Sequence, residues 1–127
     1  MTKKILIIDD EEPVRIAFRD ILERAGYEVE EAADGEQAII VQRDNPADII
    51  IADIIMPKKE GIETIMELRR EFPGVPIIAI SGGGHIPAEE CLYLARRSGA
   101  AYTFFKPVSP QELLSAITAI IATDIKN

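Results

Sequence analysis

Four apolar runs in this sequence stop at polar residues that could do chemistry together. Lys4-Ile5-Leu6-Ile7-Ile8 stops at Asp9-Asp10, and Asp48-Ile49-Ile50-Ile51-Ala52 stops at Asp53. Val75-Pro76-Ile77-Ile78-Ala79-Ile80 stops at Ser81, and Ala101-Tyr102-Thr103-Phe104-Phe105 stops at Lys106-Pro107. Brought to one place, three carboxylates, a hydroxyl and an ammonium make a metal-assisted phosphoryl site. Two like charges about 5 Å apart repel by roughly 3 kcal/mol at an effective dielectric of about 20, so clustering Asp9, Asp10 and Asp53 calls for a counter-charge. An all-oxygen donor set suits Mg²⁺, with Mn²⁺ as the alternative. Asp53 can act as the acceptor, since a carboxylate can form a covalent aspartyl phosphate, or as a metal ligand alone. Lys106 is a compact charge suited to a phosphoryl oxygen or a carboxylate, and the Ser81 hydroxyl can donate to another oxygen.

Each residue also has a plainer reading when taken alone. Asp9 and Asp10 can cap the helix that follows them, whose N-terminus favours anions. Capping accounts for one aspartate, but not for a second run that also ends in one. Ser81 alone is a turn residue before glycines, and Lys106 alone a solvated lysine; their joint placement after two apolar runs favours the site. Gly82-Gly83-Gly84 lacks the GxxxxGK[ST] pattern and reads as a flexible connection, with His85 a solvated loop residue. Cys91 reads as a small buried residue on a helix.

The elements that must position these groups alternate between strand and helix patterns, which argues for an α/β domain with a parallel sheet. Apolar runs without polar alternation are strands buried on both faces, and ligands bind outside the carboxyl ends of such strands. Between the first run and Gly26, the residues Val14, Ala17, Phe18, Ile21, Leu22 and Ala25 mark one helical face. Tyr27–Ala32 is a weaker strand whose Glu28, Glu30 and Glu31 suggest an exposed edge. Asp34 and Gln37 frame a capping pair that opens a helix through Arg43. Ile62, Ile65, Met66 and Phe72 mark the buried side of the next helix, and a further helix is expected from about Pro87 to Ser98. Ser109-Pro110-Gln111-Glu112 is a capping box with proline in the first turn. The helix it opens turns Leu113, Ile117, Ile120 and Ile121 inward, with fraying expected from Thr123 to Asn127.

The 127 residues suit a single domain, and 47% hydrophobic content is ample for its core. A net charge of −8 without a basic block argues against direct binding to nucleic acid or an anionic membrane. One cysteine, no signal-peptide pattern and no transmembrane run lead to the expectation of a cytoplasmic protein.

The sequence resembles the receiver domains of bacterial two-component response regulators from about Lys4 to Ala122. The matching pieces are Ile5-Leu6-Ile7-Ile8-Asp9-Asp10-Glu11, Asp53-Ile54-Ile55-Met56-Pro57 with Gly61, Ser81, and Gly99-Ala100 ahead of Lys106-Pro107. The resemblance implies a flavodoxin-like, doubly wound five-stranded sheet of order 2-1-3-4-5 flanked by five helices. It implies that Asp53 accepts a phosphoryl group from a histidine kinase, a phosphotransfer protein or a small phosphodonor. Asp10, Asp53 and the backbone carbonyl of Ile55 would hold Mg²⁺, with Asp9 acting through water. Lys106 would contact a phosphoryl oxygen, the Lys106–Pro107 bond would be cis, and Ser81 would move toward the phosphoryl group. A downstream protein would read that shift on the face made by the fourth helix, fifth strand and fifth helix.

One position departs from the family pattern. The family often has an aromatic switch residue three positions before the lysine; here Thr103 stands there and serves as the candidate switch, with Tyr102 pointing the other way by strand alternation. The expected product is a phosphorylation-controlled switch rather than an enzyme, a monomer or weak homodimer, with residues 1–127 forming the receiver domain and no output domain. The alternatives are the receiver part of a longer regulator, such as one with a DNA-binding output domain, and a small Mg²⁺-dependent aspartyl-phosphate phosphatase. Against the phosphatase, Ile55 supplies no second carboxylate; against a flavin binder, the three aspartates repel a flavin phosphate. Neither Ile55 nor Gly83 has a side chain that could orient an attacking water, so the phosphorylated form should hydrolyse slowly. An Ile55→Asn variant is expected to lose its phosphoryl group faster than the wild type when decay is followed by intact mass.

Overall fold

The computed structural model describes residues 2–54, 61–82, 90, 93, 96, 97 and 99–126. Its elements run β1 (Lys4–Ile8), α1 (Glu12–Arg24), β2 (Glu28–Ala32), α2 (Gly35–Asp44), β3 (Ile49–Asp53), α3 (Gly61–Glu71), β4 (Ile77–Ser81), β5 (Tyr102–Phe105) and α4 (Pro110–Lys126). Four helices are thus defined among the described residues where five were expected. The remaining one, about Pro87 to Ser98, lies mostly outside them, and its described members Glu90, Tyr93, Arg96 and Arg97 have helical backbone. Cys91 and His85 lie outside the described residues.

The strands pair in parallel in the order β2-β1-β3-β4-β5, as expected. Isoleucine dominates β1, β3 and β4 because its branched, stiff side chain suits a pleated surface covered on both sides. Strand alternation then divides the core in two. Leu6, Ile8, Ile50, Ala52, Ile77 and Ala79 meet Ala38, Ile39, Ile65 and Leu68 of α2 and α3. Ile5, Ile7, Ile49, Ile51, Ile78 and Ile80 meet Phe18, Leu22, Leu113 and Ile117 of α1 and α4. The register sets Ile8 opposite Ala52, Asp53 opposite Ile80 and Ser81 opposite Phe105, so the strands end together at one edge.

Local signals explain most of the connections. Asp34 accepts a hydrogen bond from the Gln37 N–H at 2.8 Å, and the Gln37 side chain accepts one from the Ala33 N–H, opening α2. Buried Gln42 closes the path from α2 to β3 by donating to the Ala47 carbonyl and accepting from its N–H. Ser109 caps α4 through the Glu112 N–H at 3.4 Å.

Three expectations need correction. Met66 is 52% exposed, because it sits about 100° round α3 from Ile65 and away from Leu68, which takes the buried place. Ala17 and Ala25 of the first helical pattern are exposed, leaving Phe18 and Leu22 as the fully covered residues of α1. The run Ala101–Phe105 is not buried on both faces: β5 is an edge strand of the sheet, with Tyr102 39% and Phe105 51% exposed.

The β2 edge is also less solvated than its glutamates suggested. Glu31 takes Arg15 Nε at 3.0 Å and Arg19 Nε at 2.5 Å, and Arg19 also meets Glu23 at 2.9 Å. Burial pushes the Glu31 carboxyl upward, but hydrogen bonds from Arg19 and Arg15 outweigh it and leave the group below its ordinary value of 4.5. A carboxyl lowered by folding adds stability that is complete above the unfolded pKa and lost as pH falls through the folded one. The wild type should therefore exceed Glu31→Gln in stability by about 0.5–1 kcal/mol near neutral pH. Thermal melts across the acid range should show that gap shrinking once pH drops below the ordinary carboxylate value.

Candidate functional site

The common edge of β1, β3, β4 and β5 carries the site. Asp9 follows Ile5 and Ile7 in the alternation of β1, and Asp53 follows Ile49 and Ile51 in that of β3, so both belong to the side covered by α1 and α4. Both are nearly inaccessible, at 1% and 5% exposure, whereas Asp10 is exposed. One carboxylate oxygen from each of the three lies within 4.8 Å of the others.

Lys106 reaches in from the end of β5. Its Nζ donates to Asp9 Oδ2 at 3.0 Å and to Asp53 Oδ2 at 3.1 Å. Burial alone would lower the Lys106 pKa; the charge of Asp53 and the hydrogen bonds to Asp9 and Asp53 override it and raise the ammonium above its ordinary value. The lysine is thus held in its charged form. Three carboxylates and one ammonium leave a formal charge of −2 in the cluster, equal and opposite to a divalent cation. Hard oxygen donors, one of them open to solvent, fit such a cation.

The capping interpretation of Asp9 is partly correct. Its Oδ1 accepts from the Glu11 N–H at 2.9 Å at the start of α1, where Glu11 itself supplies no side-chain cap. One carboxylate therefore serves both the helix and the lysine. The Lys106–Pro107 peptide is cis, as expected, and the Lys106 N–H donates to the Ser81 carbonyl at 2.8 Å.

Ser81 is at the same edge but does not join the cluster. It is 1% exposed, and its Oγ has no hydrogen-bond partner among the described residues. By alternation it follows Ala79 rather than Ile80, the residue in register with Asp53. Thr103 is half-buried in β5 and its Oγ1 accepts from Arg96 Nη2 at 3.4 Å. Tyr102 instead stacks with Phe104, ring centroids 6.5 Å apart, as expected for residues two apart on a strand. Ile55, whose carbonyl is an expected metal ligand, lies outside the described residues, as does Gly83.

With this geometry in place, comparison with known proteins gives a consistent result. Residues 5–118 match the model of the response regulator receiver domain. The chain belongs to the response regulator receiver family. The chain is 33% identical to the chemotaxis protein CheY of Thermotoga maritima, over 94% of this chain and 98% of that protein. It is 36% identical to the alkaline phosphatase synthesis transcriptional regulatory protein PhoP of Bacillus subtilis, over 95% of this chain. The match covers 49% of PhoP, so the chain spans about half the length of that relative. A CheY-like receiver domain protein from Methanospirillum hungatei has the same fold, with a TM-score of 0.90 at 29% identity over 99% of this chain and 98% of that one. Receiver domains are signalling switches that work with histidine kinases or phosphotransfer proteins and downstream effectors, and this receiver has an acidic cluster able to bind a metal. No helix among the described residues is long and apolar enough to cross a membrane.

Two contributions to this receiver's site were not read from its residues. Arg15 donates from Nη1 to the Asp9 carbonyl at 2.7 Å, a contact between positions six apart that no periodicity announces. Gly61 matched the family pattern, but the reason for a glycine there is spatial. Its N–H donates to the Ile54 carbonyl at 3.2 Å, and a Cβ would run into Ile54 Cα and lie 2.5 Å from the Asp53 carbonyl oxygen. These are backbone atoms that cannot swing aside. A Gly61→Ala variant should lose about 1–3 kcal/mol of stability by overpacking. Its denaturation midpoint measures the loss, and displaced Asp53 and Ile54 amide resonances should accompany it.

Proposed function

We propose that this receiver takes a phosphoryl group onto Asp53 in a Mg²⁺-dependent step and thereby switches its contacts with other proteins. The observation that carries this reading is the buried Asp9–Lys106–Asp53 arrangement beside exposed Asp10. Asp9, Asp10 and Asp53, with the backbone carbonyl of Ile55, would hold the metal. Bound there, Mg²⁺ supplies positive charge that offsets repulsion between a carboxylate nucleophile and phosphoryl oxygens.

An Asp53 carboxylate oxygen attacks phosphorus in line. The new O–P bond forms as the P–N bond of a phosphohistidine, or the P–O bond of acetyl phosphate, breaks; the electron pair leaves with the donor and an acyl phosphate remains. Lys106 is in place to follow the charge from the Asp53 carboxylate to a phosphoryl oxygen. The Ser81 hydroxyl, buried without a partner among the described residues, is a donor available to another phosphoryl oxygen. Its movement, with that of Thr103, tied to Arg96, would carry the change to the face formed by the expected fourth helix, β5 and α4.

In this reading the partners are a sensor histidine kinase or phosphotransfer protein upstream and a protein target downstream. The setting is the cytoplasm, with a monomer or weak homodimer and no direct contact with nucleic acid. The length of PhoP supports a second reading, in which residues 1–127 are the receiver domain of a longer regulator. The length of the encoding open reading frame separates the two. Acetyl phosphate with Mg²⁺ should add one phosphoryl group to the wild type by intact mass, and none to Asp53→Asn or in the absence of metal. Labelling of Asp53→Asn at the wild-type level, or no labelling of the wild type, would count against Asp53 as acceptor. Sustained turnover of a phosphate ester would favour the phosphatase instead.

A further inference from the structure

The backbone of Asp9 is tied on both sides. Its N–H donates to the Ala32 carbonyl at 3.1 Å, and its carbonyl accepts from Arg15 Nη1 at 2.7 Å. Arg15 does not stand alone there. Its Nε meets Glu31 at 3.0 Å, its side chain is only 13% exposed, and the other oxygen of Glu31 is taken by Arg19. Glu31 lies in register with Ile7, two residues before Asp9 on the neighbouring strand. A planar guanidinium thus spans from the edge strand to the Asp9 peptide, immediately before exposed Asp10.

We propose that Arg15 is a positioning residue for the cation-binding end of the site, fixing the Asp9–Asp10 peptide so that both carboxylates face Asp53. This rests on the metal reading given above. Arg15 touches no reacting atom; it acts through the Asp9 carbonyl. The direction of its effect sets this role apart from one of charge alone. A positive charge beside an acidic cluster repels a cation, so removing it would by charge alone tighten metal binding. If Arg15 holds the peptide in place, removing it loosens the carboxylates and weakens binding, as loss of outer hydrogen-bond partners does at other metal sites.

Mn²⁺ titration of the full chain, read by electron paramagnetic resonance as disappearance of the free-ion signal, tests this without any phosphorylation step. Asp10→Asn, Arg15→Ala and Arg15→Lys are titrated beside the wild type, with thermal melts in the absence of metal showing which variants are folded. Arg15→Ala should raise the Kd about tenfold. Arg15→Lys keeps the charge and can meet the Asp9 carbonyl, but it cannot span to Glu31 with a planar fork, so its Kd should fall between. Equal or tighter binding by folded Arg15→Ala overturns the proposal. Should only the lysine variant fold, a Kd equal to that of the wild type overturns it. Binding by the wild type that is lost in Asp10→Asn upholds the metal reading whatever Arg15 does, whereas a wild type that binds no Mn²⁺ overturns both.

Discussion

Two buried carboxylates meet one ammonium at the edge of this sheet, and the rest of the site is organised around that contact. Asp9 follows β1, Asp53 ends β3, and Lys106 follows β5, far away in sequence. Like charges this close and this buried repel, and the lysine turns the repulsion into a network. The arrangement is still incomplete in charge, because Asp10 adds a third carboxylate. The residual negative charge is what leaves the edge able to bind a metal ion.

The sheet delivers these groups because its strands end in register. Parallel pairing of isoleucine-rich strands buries both faces, so a slip of one residue would exchange the two cores and turn Asp9 and Asp53 away from Lys106. The site thus borrows its precision from apolar packing. Gly61 adds a local constraint, since α3 begins against the backbone of Asp53 and Ile54 with no room for a side chain. Arg15 and Glu31 add another on the opposite flank, tying α1 and the β2 edge to the Asp9 peptide.

Much of this was legible in the residues. The four apolar runs became β1, β3, β4 and β5, and the Asp34–Gln37 and Ser109–Glu112 patterns became helix starts, because these signals are local. Expectations failed where neighbours decide. Met66 is as apolar as Ile65, but only its angular place on α3 relative to the sheet turns it outward. The run Ala101–Phe105 is as apolar as the other three, but its place at the edge of the sheet leaves Tyr102 and Phe105 exposed.

Residue type and order were enough to specify an α/β domain with a parallel sheet and three aspartates, a serine and a lysine at strand ends, while the receiver family came from the resemblance of its motifs. The elements follow from hydrophobic periodicity and turn chemistry, which act over a few residues. Tertiary structure alone decided that Asp9 would serve helix α1 and Lys106 at once, and that Ser81 would be buried without joining them. It also decided that Glu31, an apparent edge glutamate, would anchor Arg15 and Arg19. Those outcomes depend on distances between side chains from separate elements, and such distances exist only once the sheet has set its register and the helices have packed on it.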